Sequence, residues 1–124
     1  MTLVPRFGSK GGLTLNNPMS VAPCAGADVF DYEASFLSAI GNAKRLHILR
    51  LLAEGEISVT VLAEEVGLSQ SATSQHLAVL RDQELVQTRR VSQTIYYSLQ
   101  SSAVRIMLDT LTEIFGSRHR AQVA

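Results

Sequence analysis

The stretch that decides the fold is Gly67–Asp82, with the sequence GLSQSATSQHLAVLRD. Side chains advance by about 100° per residue along an α-helix, so a helix over this stretch has two distinct faces. The face that we expect to point inward carries Thr73, His76, Leu77 and Leu80. The opposite face is small and polar and carries Ser71, Ser74, Gln75 and Ala78.

The outward face of this helix lacks the mixed charges that a solvated helix face normally carries. It holds no acid, and its longest side chain is the amide Gln75. Small side chains let a helix approach another surface closely, and Gln and Ser can hydrogen-bond to the edges of bases. The composition of this face therefore indicates contact with nucleic acid.

A second short helix precedes this one over residues 59–66, with an apolar stripe at helical spacing and Ser58 as its cap. Its outward side carries Glu64 and Glu65, and acids repel DNA, so we expect this helix to support its neighbour. A tight turn, Gly67-Leu68-Ser69, joins the two helices, and Ser69 can cap the second. Helix, glycine turn and helix form the helix-turn-helix pattern, with residues 69–82 as the recognition helix.

Two helices are predicted upstream of this pair. The first runs over residues 28–40, and Gly41, which can adopt a positive φ, is a natural residue to follow its end. Its apolar stripe consists of Phe30, Ala34, Leu37 and Ile40, widened by Val29 and Phe36. Asn42 caps the second helix, which ends near Glu54 and is apolar on most sides.

Three side chains near these helices have both a structural and a functional interpretation. Lys44 and Arg45 oppose the helix dipole in the first turn, so they either serve a nearby phosphate or form an ordinary solvated pair. His76 lies at the edge of the inward face, where a hydrogen-bonded packing residue is a more frequent finding than a ligand.

A β-hairpin is predicted over residues 85–99, where the hydrophobic period changes from helical to two. Its turn lies at Val91-Ser92-Gln93. Arg89 and Arg90 cluster near the tip with no acid beside them in the sequence. A hairpin that carries arginines after a helix-turn-helix is a wing, which can hold phosphate or enter the minor groove.

The last predicted helix starts at Ser101 and has a wide apolar stripe. The apolar surface of this helix and of the first helix together exceeds what the core of so small a domain needs. We therefore expect the two helices to pack together and against the same helices of a second subunit. The expected interface consists of Phe30, Leu37, Met107, Leu108, Leu111 and Phe115. A two-fold dimer would place its recognition helices about one DNA turn apart.

The 124-residue chain is expected to form one domain at residues 28–117, between a disordered tail (1–27) and a frayed end (118–124). The tail holds all three prolines, and Met19 is an alternative start. The single cysteine, Cys24, excludes an internal disulfide and favours a reducing cytoplasm. The formal net charge is zero, so only local charge can favour nucleic acid. No apolar run approaches the roughly 20 residues of a membrane span, so no membrane partner is expected.

Three stretches together resemble the ArsR/SmtB family of winged-helix repressors over roughly residues 34–115. They read LSAIGNAKRLHILRLL, SVTVLAEEVGLSQSATSQHLAVLRDQELV and TRRVSQTIYYSL. The resemblance implies a mainly α winged helix-turn-helix with five helices and a wing. It also implies a cytoplasmic, nucleoid-associated homodimer that binds an imperfect palindrome in double-stranded promoter DNA and usually represses. The implied DNA contacts are Gln70, Ser71, Ser74 and Gln75 in the helix, and Arg89, Arg90, Gln93 and Thr94 in the wing.

The metal sites of that family are not expected here. Ser58 and Thr60 stand where the family motif ELCVCDL has cysteines, and hydroxyls are poor ligands for soft metals. In the last helix, Asp109 is not followed by the required histidine, and His119 has no acid or histidine three residues on. We therefore expect no metal and no cofactor.

The rival functions are an enzyme, a protein-binding winged helix and a sensor of the same family. No nucleophile elbow, phosphate loop, paired-carboxylate step or metal cluster favours an enzyme. A protein-binding winged helix would carry an acidic or apolar recognition face, unlike this Ser/Gln face. The alternative that stays open is a sensor of the same family, with DNA binding switched by a small molecule or thiol oxidation at the dimer interface. Cys24 has no partner within one chain, so an inert thiol is the simpler expectation.

Overall fold

The computed structural model describes the backbone of residues 28–123 and the side chains of residues 28–116. The elements in chain order are α1 (Val29–Ile40), α2 (Ala43–Ala53), β1 (Ile57–Ser58), α3 (Val59–Val66), α4 (Gln70–Asp82), β2 (Val86–Val91), β3 (Thr94–Leu99) and α5 (Ser102–Val123). The interpretations of the tail and of Cys24 and Met19 lie outside the described residues, as does the side chain of His119. The predicted helices and hairpin are confirmed, and the fold is a winged helix-turn-helix.

Polar caps start the helices where the sequence predicts them. The Asn42 side chain accepts hydrogen bonds from the backbone N–H groups of Lys44 (2.9 Å) and Arg45 (3.1 Å). Ser58 caps α3, and Ser69 caps α4. Each cap satisfies N–H groups that have no partner inside the helix, which fixes the first turn.

Gly41 ends α1 as predicted, but it does not use the positive φ that glycine allows. Its φ is −76°, and its N–H donates to the carbonyl oxygen of Leu37 at 2.8 Å. A Cβ on Gly41 would lie 3.0 Å from that same oxygen. Close approach to the helix backbone, rather than a left-handed conformation, therefore favours glycine at this position.

The hydrophobic core lies between α2, α3, α4, the sheet and the first half of α5. Its fully buried apolar side chains are Ile48, Leu49, Leu52, Leu62, Leu77, Leu80 and Val104. The buried polar side chain Thr73 donates its hydroxyl to the carbonyl oxygen of Ser69 at 2.9 Å. The core therefore contains the inward side of the predicted recognition helix.

The sheet has three antiparallel strands in the order β1-β3-β2. The hairpin closes through Ser92 and Gln93, with Val91 opposite Thr94 and Ser92 at a φ of 58°. The sequence analysis missed β1, which pairs Ser58 with Tyr96 of the central strand. Two residues are too few to show an alternating pattern, so β1 forms through its pairing with β3.

The first and last helices do not form an extensive contact with each other within the chain, so that expectation is wrong. Helix α1 packs on α2 and α4, and α5 packs on α2. Phe30 is 73% exposed and Leu37 is 53% exposed, whereas Leu108 is buried in the chain's own core. Apolar surface therefore remains on α1, but Leu108 contributes little to it.

Helix α5 departs from helical geometry at Phe115 (φ −116°, ψ 18°), and then continues to Val123. The expected fraying from residue 118 thus falls within a helical segment. Phe115 itself is 43% exposed, next to exposed Ile114. Among the described residues, no helix is both long and apolar enough to cross a membrane.

Candidate nucleic-acid interface

The turn between α3 and α4 sets the direction of the recognition helix. Gly67 adopts a left-handed φ of 72°, which favours glycine because it has no Cβ. The N–H of Leu68 then donates to the carbonyl oxygen of Ala63 at 3.0 Å, and Ser69 begins the next helix. This sequence of contacts closes the end of α3 and turns the chain within three residues.

Packing fixes the rotation of α4 about its own axis. Thr73, Leu77 and Leu80 are buried on the inner side, as predicted. The outer side is exposed at Gln70, Ser71, Ser74, Gln75 and Ala78. The four candidate base contacts therefore share one exposed surface. The helix carries no acid before its last residue, Asp82.

Lys44 and Arg45 have a role that neither sequence interpretation anticipated. The Lys44 ammonium donates to the carbonyl oxygen of Val66 at the end of α3 (2.6 Å). The Arg45 guanidinium donates to the carbonyl oxygens of Ala39 (2.6 Å) and Ser38 (3.3 Å) at the end of α1. The cations oppose the dipole of their own helix but complement the C-terminal ends of two others. They hold three helix ends together.

His76 is a hydrogen-bonded packing residue, as predicted. It is half-buried, and its Nδ1 lies 3.3 Å from Nη1 of Arg45. A guanidinium has only donors, so Nδ1 is the acceptor and the ring proton of this pairing is on Nε2. Through this bond Arg45 joins the end of α1 to the middle of the recognition helix.

Arg89 has an acidic partner in the fold, although no acid stands beside the two arginines in the sequence. Its Nε donates to Oε2 of Glu56 at 3.0 Å, and its Nη2 donates to Oε1 at 2.7 Å. The guanidinium carbon also lies 5.3 Å from the centre of the Tyr96 ring. The hydrogen bond and charge of Arg89 lower the pKa of Glu56, and Glu56 in turn raises the pKa of Arg89.

The two wing arginines point to opposite sides of the hairpin, because neighbouring residues of a strand alternate. Arg89 pairs across the strands with Tyr96, and Arg90 pairs with Ile95. Arg90, Gln93 and Thr94 are all exposed near the tip. Within the described residues no carboxylate lies within ion-pair distance of Arg90. The charge of Arg89 is therefore balanced by Glu56, whereas that of Arg90 is not.

Sequence reasoning missed Glu56 because its partner lies 33 residues away. No local pattern links them, and the short strand that follows Glu56 carries no alternating signal. Only the sheet order, which puts β1 beside β3 and β3 beside β2, explains the contact. No three His, Cys, Asp or Glu side chains in the described part of the chain are grouped closely enough to hold a metal ion.

Comparison with known proteins identifies the family. Residues 42–88 match the family described as "Bacterial regulatory protein, arsR family". Nodulation protein NolR from Rhizobium meliloti is 58% identical over 86 residues, which are 69% of this chain and 70% of that protein. The transcriptional activator HlyU from Vibrio cholerae is 46% identical over 79 residues, covering 64% of this chain and 73% of HlyU. The chain belongs to the arsR family.

A solved structure of an arsR-type relative supports the same assignment. The crystal structure of NolR from Sinorhizobium fredii has a TM-score of 0.68 and 55% identity, over 70% of this chain and 87% of that chain. The arsR family match runs from the cap of α2 into β2 and so contains the whole helix-turn-helix. The chain is therefore a transcriptional regulator with a helix-turn-helix, and not an enzyme.

The Glu56–Arg89 contact predicts a measurable carboxyl titration. We expect NMR titration of the Glu56 side chain to give a pKa below the ordinary glutamate value, because the Arg89 guanidinium stabilises the ionised form. Arg89→Gln should raise that pKa toward the ordinary value. The stabilisation should be present above the unfolded-state pKa and fade as pH falls through the lower folded-state pKa.

Arg90→Gln is the matched control, because it removes the neighbouring charge without touching the carboxylate. It should leave the Glu56 titration nearly unchanged. An equal effect of the two substitutions would show that general charge, and not the pairing, lowers the pKa.

Proposed function

We propose that this chain is a homodimeric, sequence-specific DNA-binding repressor of the arsR type that works without a metal or cofactor. The observation that carries the proposal is the exposed face of α4, which is small and polar with no acid before Asp82. Its double-stranded target is a palindromic operator near a promoter. Occupation of that site excludes the transcription machinery, and the place of action is the cytoplasm, at the nucleoid.

Base readout is assigned to Gln70, Ser71, Ser74 and Gln75. A glutamine amide can both accept from and donate to adenine at N7 and N6, which discriminates this base in the major groove. The small side chains beside Gln75 let the helix axis come close enough for that contact. Burial of Leu77 and Leu80 behind them supports this, because it prevents the helix from turning its polar face away.

Backbone contacts are assigned to the wing. Arg90, Gln93 and Thr94 lie near the hairpin tip and are exposed, so they can approach phosphates beside the groove that α4 occupies. Arg89 has the same access but shares its charge with Glu56. Contacts of this kind orient the protein on the duplex and carry little sequence information.

Dimerisation is assigned to the exposed apolar side chains of α1 and α5. Phe30, Leu37 and Phe115 have much of their surface in water in the single chain, and Met107 and Leu111 of α5 are half-buried. A second copy of the same chain offers matching apolar helices and closes the surface through a two-fold axis. Two recognition helices would then lie about 34–36 Å apart, one turn of DNA.

Footprinting of the purified protein on genomic DNA tests the proposal as a whole. We expect a protected site of about two helical turns with two-fold-related half-sites. Repression predicts that the site overlaps or adjoins a promoter and that its deletion raises transcription. No protection at low salt would overturn the DNA assignment, and a fall in transcription on deletion would overturn repression.

Gln75→Ala is expected to weaken binding to that site by ~1–3 kcal/mol, because a bidentate base contact is lost. Binding to a random-sequence duplex should change little. Fluorescence anisotropy with both duplexes measures the difference, and Gln100→Ala, an exposed amide outside α4, serves as the control.

The contrasting variant is Arg90→Ala, which removes a phosphate contact. It should weaken binding to both duplexes and reduce the slope of log affinity against log salt by about one. If Gln75→Ala and Arg90→Ala behaved alike, the division between groove and backbone contacts would be wrong.

Phe30→Glu is expected to give a folded monomer in sedimentation analysis, since Phe30 contributes little to the chain's own core. A charge buried at a dimer interface without a partner is strongly unfavourable. Val61→Glu is the matched control, because Val61 is exposed on α3 and should leave the dimer intact. A dimer that survives Phe30→Glu would contradict the assigned interface.

A further inference from the structure

The contact between Glu56 and Arg89 has a consequence for DNA recognition that rests on the proposed function. We infer that Glu56 limits the DNA affinity of the wing by holding Arg89 in a neutral pair, which lowers its attraction for DNA of any sequence. The residue lies outside the recognition helix and touches no base. Its effect is on the sequence-independent part of DNA affinity and on the dependence of that affinity on salt.

The sheet fixes this pair in place. Glu56 directly precedes β1, whose Ser58 pairs with Tyr96 of β3. Tyr96 in turn lies opposite Arg89 of β2, so the carboxylate and the guanidinium meet across the central strand. The ring of Tyr96 lies under the guanidinium. The pairing is therefore imposed by strand order and not by a chance approach of two surface side chains.

The geometry leaves Arg89 able to contact DNA without adding net charge. The carboxylate occupies Nε and one hydrogen of Nη2, two of the five N–H donors of the guanidinium. The side chain is still 59% exposed, and that of Glu56 is 34% exposed. The remaining three donors can donate to a phosphate oxygen or to an acceptor on a base edge, but the pair as a whole has no net charge.

Net charge decides sequence-independent affinity. Each phosphate that a cation neutralises releases counterions, and log affinity then falls with log salt by roughly 0.9 per contact on duplex DNA. A neutral Glu56–Arg89 pair releases none, so Arg90 supplies the wing's contribution to this effect. Operator binding also includes the base contacts of α4, which do not involve Glu56. A change at Glu56 therefore alters binding to operator and to random DNA by about the same factor.

Glu56→Gln on a random-sequence duplex tests the inference. The substitution keeps the size of the side chain and an oxygen that can accept one hydrogen bond, but removes the charge. We expect binding at about 50 mM salt to tighten roughly three- to tenfold and the salt slope to steepen by about one. Operator affinity should rise by about the same factor, because the added phosphate contact does not depend on sequence.

Two controls separate release of Arg89 from a general loss of negative charge. Glu65→Gln removes an exposed acid of α3 that has no ion-pair partner among the described residues, and it should change the slope by much less. In an Arg89→Gln background, Glu56→Gln should have only the small effect of Glu65→Gln. An effect that persisted at full size without Arg89 would overturn the inference.

The sign of the change in DNA affinity caused by Glu56→Gln also tests the inference. If Glu56→Gln weakened binding to both duplexes, Glu56 would support DNA binding by orienting Arg89, and the inference would be wrong. An unchanged salt slope would also overturn it. Failure of the proposed function looks different, because the unaltered protein would then bind neither duplex at low salt.

Discussion

The burial of Leu77 and Leu80 against the core is the constraint on which the rest of the structure depends. A helix rotates by about 100° per residue, so a shift of one position would place Ser74, Ala78 and Arg81 where Thr73, Leu77 and Leu80 are now buried. Fully burying a leucine is worth ≈ 1.5–3 kcal/mol, which makes that rotation unfavourable. The polar surface of α4 is therefore oriented by the hydrophobic side of the same helix.

Polar contacts add positional control that the apolar core alone does not supply. Arg45 contacts the last carbonyls of α1 and the His76 ring of α4, while Lys44 holds the end of α3. The first turn of α2 is thus bonded to the C-terminal ends of both α1 and α3. A change in the position of α1, where we place the second subunit, would disturb bonds that lead directly to the recognition helix.

Interactions between residues close together in the chain could be predicted from the sequence, and those between distant residues could not. Caps such as Asn42 and Ser69 and the apolar period of α4 depend on neighbours within about one turn, so residue order reveals them. The contacts Lys44–Val66, Arg45–His76 and Glu56–Arg89 join residues 22, 31 and 33 positions apart. These depend on tertiary packing, and the sequence predicted the charges without their partners. The same holds for β1, which exists only through β3.

For a chain of zero net charge that we propose to bind DNA, it matters which lysine and arginine side chains are held by other groups of the protein. Among the described side chains, five of seven cations contact a carbonyl, a hydroxyl or a carboxylate, namely Lys44, Arg45, Arg50, Arg89 and Arg105. Arg81 and Arg90 are the two with no hydrogen-bonded or ionic partner in that part of the chain. Bonds to neutral carbonyl and hydroxyl oxygens leave the charge of a cation intact, whereas the Glu56 carboxylate neutralises Arg89 and so withholds its charge from DNA phosphates. Sequence is read by base contacts, which we assign to the exposed Ser and Gln face of α4, whereas the Glu56–Arg89 pair acts on the phosphate contacts that all sequences share.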